Sequence, residues 1–339
     1  MIPPAAAAIE GPAPPAVQVV WVETADHDTV ALHRYANPGK PAVVLCHGLS
    51  SNHRFWDLTP DISLAVALWR AGFDVWNLDL RGHGDAGLAP DGIATGKAPR
   101  VWTVDDYGTH DLPAALDHVR AESGDPEPFF VGHSMGGMTL AVYLATHPEP
   151  GLQGAVVVGS PLDFRDPDRL MSMLFQVGGT LGGVRVPTPL GASVLSGPLR
   201  PAVPLHADAL LYNPDSFDRR TEALMLRSVV SPMTSGEITQ FARLRSDAVF
   251  RSMDGVTDYV SALRETSIPM LFVAGRADHV VNPDRVRAYQ DAVGPGDRTW
   301  IMVSRANGWS TDYGHLDFGC APQAPTELFP RIAEWLVAR

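Results

Sequence analysis

Short, largely apolar runs alternate along this chain with longer stretches whose apolar residues recur every three or four positions. That alternation predicts an α/β protein with a mainly parallel sheet covered by helices on both faces. Residues 17–24 (VQVVWVET) and 29–35 (TVALHRY), joined by the turn from Ala25 to Asp28, read as an opening antiparallel pair. Six continuous apolar runs, of the kind buried on both faces, follow at 41–47, 74–80, 128–133, 154–160, 269–275 and 299–304, for eight strands in all.

Helical spacing fills the intervals at 63–71, 135–147, 284–293 and 327–338. Leu112, Ala115, Leu116 and Val119 mark one face of a further helix. Pro113 is expected in its first turn, because deeper in a helix it would remove a backbone hydrogen bond. The regularity fails across residues 161–266, whose first half is apolar but full of Gly and Pro, and whose second half suggests helices at 216–230 and 235–249. The expected organisation is a flexible tail at 1–16, a core made of 17–160 and 267–339, and a lid or cap inserted at 161–266 after the sixth strand.

The sharpest local signal is Gly132-His133-Ser134-Met135-Gly136, placed directly after the apolar run PFFV and directly before a helical pattern. A serine there sits on a tight strand-to-helix turn that only flanking glycines permit, with its hydroxyl at a helix amino terminus. Serine needs a base within hydrogen-bond reach and a carboxylate to orient that base. Asp278 follows the seventh strand, and His315, in Asp312-Tyr313-Gly314-His315-Leu316-Asp317-Phe318, follows the eighth. His279 competes for the base and Asp163 for the acid. An oxyanion needs two donors, and the backbone N–H groups of Met135 and of Leu49, in the loop after the third strand, are the candidates. His47 is expected to order that loop.

From about Val43 onward the chain resembles the α/β-hydrolase-fold serine hydrolases, through HGLSS, FDVWNLDLRGHG (73–84), DDYGTHDLPAALDHV (105–119), GHSMGG, GRADHVV and DYGHLDF. The order Ser134, Asp278, His315 is the order of that fold. GFDVW, DLPAALD and DYGHLDF are similar to the acid-lipase-like and monoacylglycerol-lipase-like esterases. The resemblance implies hydrolysis of carboxylic esters through an acyl-serine, without a cofactor, with a helical lid choosing the substrate. The same apparatus also serves thioesterases, lactonases and acyltransferases, and some receptors use the fold as a ligand pocket.

Composition narrows the partners. Acidic residues outnumber basic ones 38 to 26, a formal charge of −12 that repels polyanions, so nucleic acid is not expected. With 45% apolar and 19% charged residues the chain can bury a full core. No run of 18 apolar residues occurs and the amino end lacks the basic start of a signal peptide, so integral membrane association is not expected and a cytoplasmic location is. The 12 histidines show no HExxH and no close pair with a third ligand, no nucleotide-binding glycine motif occurs, and Cys46 and Cys320 are not expected to pair. Arg81-Gly82-His83-Gly84 reads as a structural turn. An acyl ester with a lipophilic acyl group is the expected substrate.

Overall fold

The computed structural model describes residues 7–87, 101–162, 210–247 and 249–339. Eight strands form one sheet: β1 (Gln18–Glu23), β2 (Thr29–Tyr35), β3 (Ala42–Cys46), β4 (Asp74–Asp79), β5 (Phe129–His133), β6 (Ala155–Val158), β7 (Met270–Gly275) and β8 (Arg298–Val303). Their order is β1-β2-β4-β3-β5-β6-β7-β8. β2 runs antiparallel to both its neighbours, and every other neighbouring pair from β4 to β8 is parallel. Each expected strand is present: 29–35 at its expected bounds, 299–304 shifted back by one residue, and the other six shortened by a residue or two at one or both ends.

The continuous apolar runs have their reason in burial. Every residue of β3, β4, β5, β6 and β7 is buried, whereas the edge strands β1 and β8 are only partly so. Alternate residues of a strand face opposite sides. Val43 and Leu45 pack with α1 (Leu64–Arg70) and α7 (Ala324–Val337), while Val44 and Cys46 pack with α2 (Leu112–Ser123), α3 (Met135–Thr146) and α6 (Pro283–Ala292). Two layers of helix thus sandwich the sheet. On the outer side of α1, Arg70 donates to the carbonyls of Ile9 and Pro12, which holds part of the amino-terminal tail there.

Pro113 lies where expected. It lies in the first turn of α2, but α2 is not where the helical path begins. That path starts at Val104–Asp106, capped by Thr103, and passes through a π-helical turn at Tyr107–Asp111. The π turn ends directly before Pro113, with the Leu112 N–H donating to the Tyr107 carbonyl. The same turn presses Gly108 onto α3, where an added Cβ would lie 2.3 Å from Val142.

The glycine-rich first half of the 161–266 stretch lies outside the described residues, and so does Asp163. The described part of the second half contains the two expected helices, α4 (Arg219–Ser228) and α5 (Ser235–Asp247), and a short one at Tyr259–Ala262. α4 starts later than its periodicity suggested because Asp218 caps it, accepting from the N–H groups of Arg220 and Thr221. α5 opens with a capping box in which Glu237 accepts from the Thr234 N–H and Thr234 Oγ1 accepts from the Glu237 N–H. Phe250, Tyr259 and Leu263 pack into the same apolar cluster as α2 and α3. No helix among the described residues is long and apolar enough to cross a membrane.

Candidate active site

Ser134 joins β5 to α3 with φ at 52° and ψ at −117°, a conformation that L-residues avoid. Close contacts on every side hold it there. A Cβ on Gly132 would lie 2.7 Å from the Gly136 carbonyl carbon, and one on Gly136 would lie 2.7 and 2.8 Å from the carbonyl oxygens of His47 and Cys46. The Ser134 N–H still donates to Val158 on β6, so the turn remains stitched to the sheet. Its side chain does not cap α3, which leaves the hydroxyl to another partner.

That partner is His315. Its Nε2 lies 2.9 Å from Ser134 Oγ, and its Nδ1 lies 2.8 Å from Asp278 Oδ2. The other Asp278 oxygen accepts from the N–H groups of Val280 and Val281, at 3.0 and 2.7 Å, which orients the carboxylate without the histidine. All three side chains are buried, with Ser134 the most accessible at 9%. The competing His279 is exposed. At the end of β6, Gly159 has a positive φ, and its absent side chain leaves room beside Asp278 Oδ2 and His315 Nδ1.

The loop after β3 lies against Ser134. A Cβ on Gly48 would come within 3.0 Å of the Ser134 Cβ, so Leu49, the next residue, and Met135, at the start of α3, belong to the two segments that flank the serine. His47 is fully buried; its Nδ1–H donates to the Gly48 carbonyl at 2.8 Å and its Nε2 accepts from the Leu80 N–H. Burial and the nearby His83 hold its pKa down to about 4, so the ring stays neutral and keeps both bonds. Ser50 takes a positive φ of 55°, and its hydroxyl donates to the Ser231 carbonyl while its own carbonyl accepts from the Ser231 N–H. The chain after α4 is thereby tied to this loop.

Three supporting residues escaped the sequence reading. His133 donates through Nε2 to the His315 carbonyl at 3.0 Å and stacks on Phe55 with ring centres 4.0 Å apart; burial keeps it well below the usual histidine range. Asp317, fully buried, accepts from the N–H groups of Asn213 and Gly314 and from the Ser216 hydroxyl. Glu237 faces His83 across 3.3 Å, both fully buried, as an ion pair and not as an aligned hydrogen bond. The sequence holds a signal only for His133, which stands inside GHSMG; the others depend on segments distant in the chain.

The reading that no histidine pair has a third ligand nearby is corrected. Among the described residues His33, His53 and Asp79 place their ligand atoms within 4.8 Å of one another. His33 and Asp79 are 46 positions apart and His53 and Asp79 are 26, so no spacing rule could reveal the trio.

Comparison with known proteins agrees with this architecture. The family model described as alpha/beta hydrolase fold matches residues 41–304. Lipase 3 of Drosophila melanogaster is 30% identical over 146 residues, which is 38% of this chain and 34% of that protein, so the match spans about a third of the relative. A poly(3-hydroxyalkanoate) polymerase subunit PhaC from Allochromatium vinosum is 24% identical over 328 residues, 92% of this chain and 86% of that one. The solved structure of a thermophilic esterase from Thermogutta terrifontis superposes with a TM-score of 0.63 at 18% identity, covering 95% of this chain and 98% of the other. With its sheet order, its strained serine between β5 and α3, and a family match over most of its length, this chain belongs to the α/β-hydrolase-fold family.

Proposed function

We propose that the protein is a serine hydrolase that cleaves carboxylic esters through an acyl-serine intermediate. The hydrogen-bonded run from Ser134 Oγ through His315 to Asp278, at 2.9 and 2.8 Å, carries this reading. Ser134 attacks the acyl carbon while His315 Nε2 takes its proton, and Asp278 stabilises the imidazolium that forms. The N–H groups of Leu49 and Met135, in the two segments that flank the serine, hold the oxyanion. His315 returns the proton to the leaving alkoxide, then deprotonates the water that releases the acid. Likeness to a lipase and to an esterase supports the ester as the bond cleaved. Residues 161–266 serve as the lid, and their apolar character favours a lipophilic acyl group of short to medium length.

A chain-length series of chromogenic esters on wild type and Ser134→Ala tests this. Turnover should appear with short to medium acyl chains and fall by several orders of magnitude, about 10⁴-fold or more, in the variant. No turnover at any length, or ordinary turnover by Ser134→Ala, overturns the reading. Fluorophosphonate labelling confined to Ser134 separates an active site from a dead scaffold, and the turnover measurement separates a hydrolase from a receptor that keeps its triad.

The likeness to the polymerase subunit over 92% of the chain supports a second reading, acyl transfer to an alcohol in place of water. Including a hydroxyacyl thioester and an alcohol acceptor in the same assay distinguishes the two by product, ester or free acid.

A further inference from the structure

Beneath the loop that carries Leu49, a second group of ligating side chains converges. His33 comes from β2, Asp79 from the carboxyl end of β4, His53 from the short helical turn His53–Phe55, and Asp85 from the turn Gly84–Gly87. His33 Nε2 lies 3.1 Å and His53 Nδ1 2.8 Å from the same oxygen, Asp79 Oδ2. Asp85 Oδ2 lies 3.6 Å from His33 Nε2. A tetrahedral ion with ligands at about 2.0–2.1 Å separates its donors by about 3.3 Å, and these three distances bracket that edge.

We propose that His33, His53 and Asp79 form a binding site for a divalent transition-metal ion of the zinc type, with Asp85 at its mouth and a water completing the coordination. Two imidazoles and a carboxylate suit Zn²⁺, Co²⁺ or Ni²⁺ in preference to Mg²⁺ or Ca²⁺, which take oxygen donors. Burial is graded as an entry path requires: the side chains of Asp79, His33 and His53 are 0%, 5% and 11% exposed, and that of Asp85 at the mouth is 40% exposed. The outer support is already built. Asp79 is oriented by the backbone N–H groups of His53 and Asp85, at 2.6 and 2.8 Å, and Asn77 donates to the His53 carbonyl. The carboxylate is thus held even when the imidazoles turn from it to an ion. The two rings stack at 3.6 Å with 23° between their planes. Loading fans them apart about their Cβ–Cγ bonds, each in the tautomer that presents its lone pair to the ion. The ion then crosslinks β2, β4 and the chain four residues beyond Leu49, stiffening the base of that loop.

Calorimetric titration of the full chain with ZnCl₂, with visible spectroscopy of the Co²⁺ form, tests the site without reference to turnover. Ser134→Ala protein should bind as well as wild type, which separates this site from the esterase reading. Expected are one ion per chain, a higher melting temperature with zinc, intense visible Co²⁺ bands of four-coordinate geometry, and affinity at least tenfold weaker in His33→Gln and His53→Gln. The proposal is overturned by the absence of saturable one-to-one binding, by a six-coordinate Co²⁺ spectrum, or by affinity undiminished in folded His33→Gln. Should a variant fail to fold, the wild-type stoichiometry and spectrum decide.

Discussion

The backbone N–H of Asn213 donates to the carboxylate of Asp317 at 3.1 Å, across 104 positions of sequence. This bond joins the segment before α4 to the loop that carries His315. Ser216 Oγ adds a second bond to the same carboxylate at 2.9 Å, and Leu316 N–H donates to the Leu211 carbonyl at 2.8 Å. From the opposite side, the Ala277 N–H donates to the Tyr313 carbonyl, next to Asp278. The histidine loop is therefore held between the end of β7 and a segment from the interval between β6 and β7.

Asp317→Asn keeps the shape but puts an NH₂ group where one of the two accepting oxygens was, facing the Asn213 donor or the Gly314 and Ser216 donors, and leaving a buried donor unpaired should cost about 1–3 kcal/mol in urea unfolding. Burial pushes the Asp317 carboxyl up to about 7, so between its ordinary 3.8 and 7 the native state holds a proton that the unfolded chain releases. The wild-type contribution from this group is complete below 3.8 and is lost as pH rises through 7, while asparagine does not titrate. The stability gap between wild type and variant should accordingly narrow from pH 4.5 to pH 7 and stay level above. A gap that widens with rising pH contradicts this account.

Gly136→Ala should be far more damaging than its single methyl suggests. The new Cβ would meet two backbone carbonyl oxygens at 2.7 and 2.8 Å, and neither can swing aside as a side chain could. Overpacking of this kind costs about 1–3 kcal/mol, and relief would have to come from shifting the Gly48 loop against Ser134. Gly39→Ala is the control, since nothing lies within 4 Å of its Cβ position and only its positive φ is strained. Thermal melts should show the larger drop for Gly136→Ala, with ester turnover lost by that variant alone.

Glu237→Gln removes one charge of a fully buried pair and leaves His83 facing an uncharged amide. Neutralising one partner of such a pair costs about 3–5 kcal/mol. Because Glu237 also closes the capping box of α5, and Gln can still accept from the Thr234 N–H, the loss should come from the pair and not from the cap. Replacing His83 in the same background should then add little, and a double-mutant cycle with His83→Gln reads that coupling. Additive losses would show that the two residues act separately.

The legible features were those whose cause is local. Residues 128–133 read as a strand because a strand buried on both faces favours apolar side chains, and GxSxG was legible because a crowded turn excludes every Cβ at Gly132 and Gly136. Strand order then carried Asp278 and His315 to the edge where Ser134 stands, so the positions at strand ends were readable once the fold was recognised. Asp218 as the cap that delays α4 was missed, because Phe217 and Ser216 continue the apolar and polar spacing that precedes it. The π turn before Pro113 was missed because a proline's tolerance depends on the backbone it follows.

Sequence alone determined which segments are strands or helices, where the strained serine lies, and which residues stand at the strand ends. Each of those follows from periodic burial or from a steric demand within a few residues. Tertiary structure decided that Asp317 meets Asn213, that Glu237 meets His83, and that His33 and His53 share one oxygen of Asp79. Such meetings depend on which strands become neighbours and how the connecting loops return, and hydrogen bonds between distant residues leave no spacing in the chain by which to recognise them.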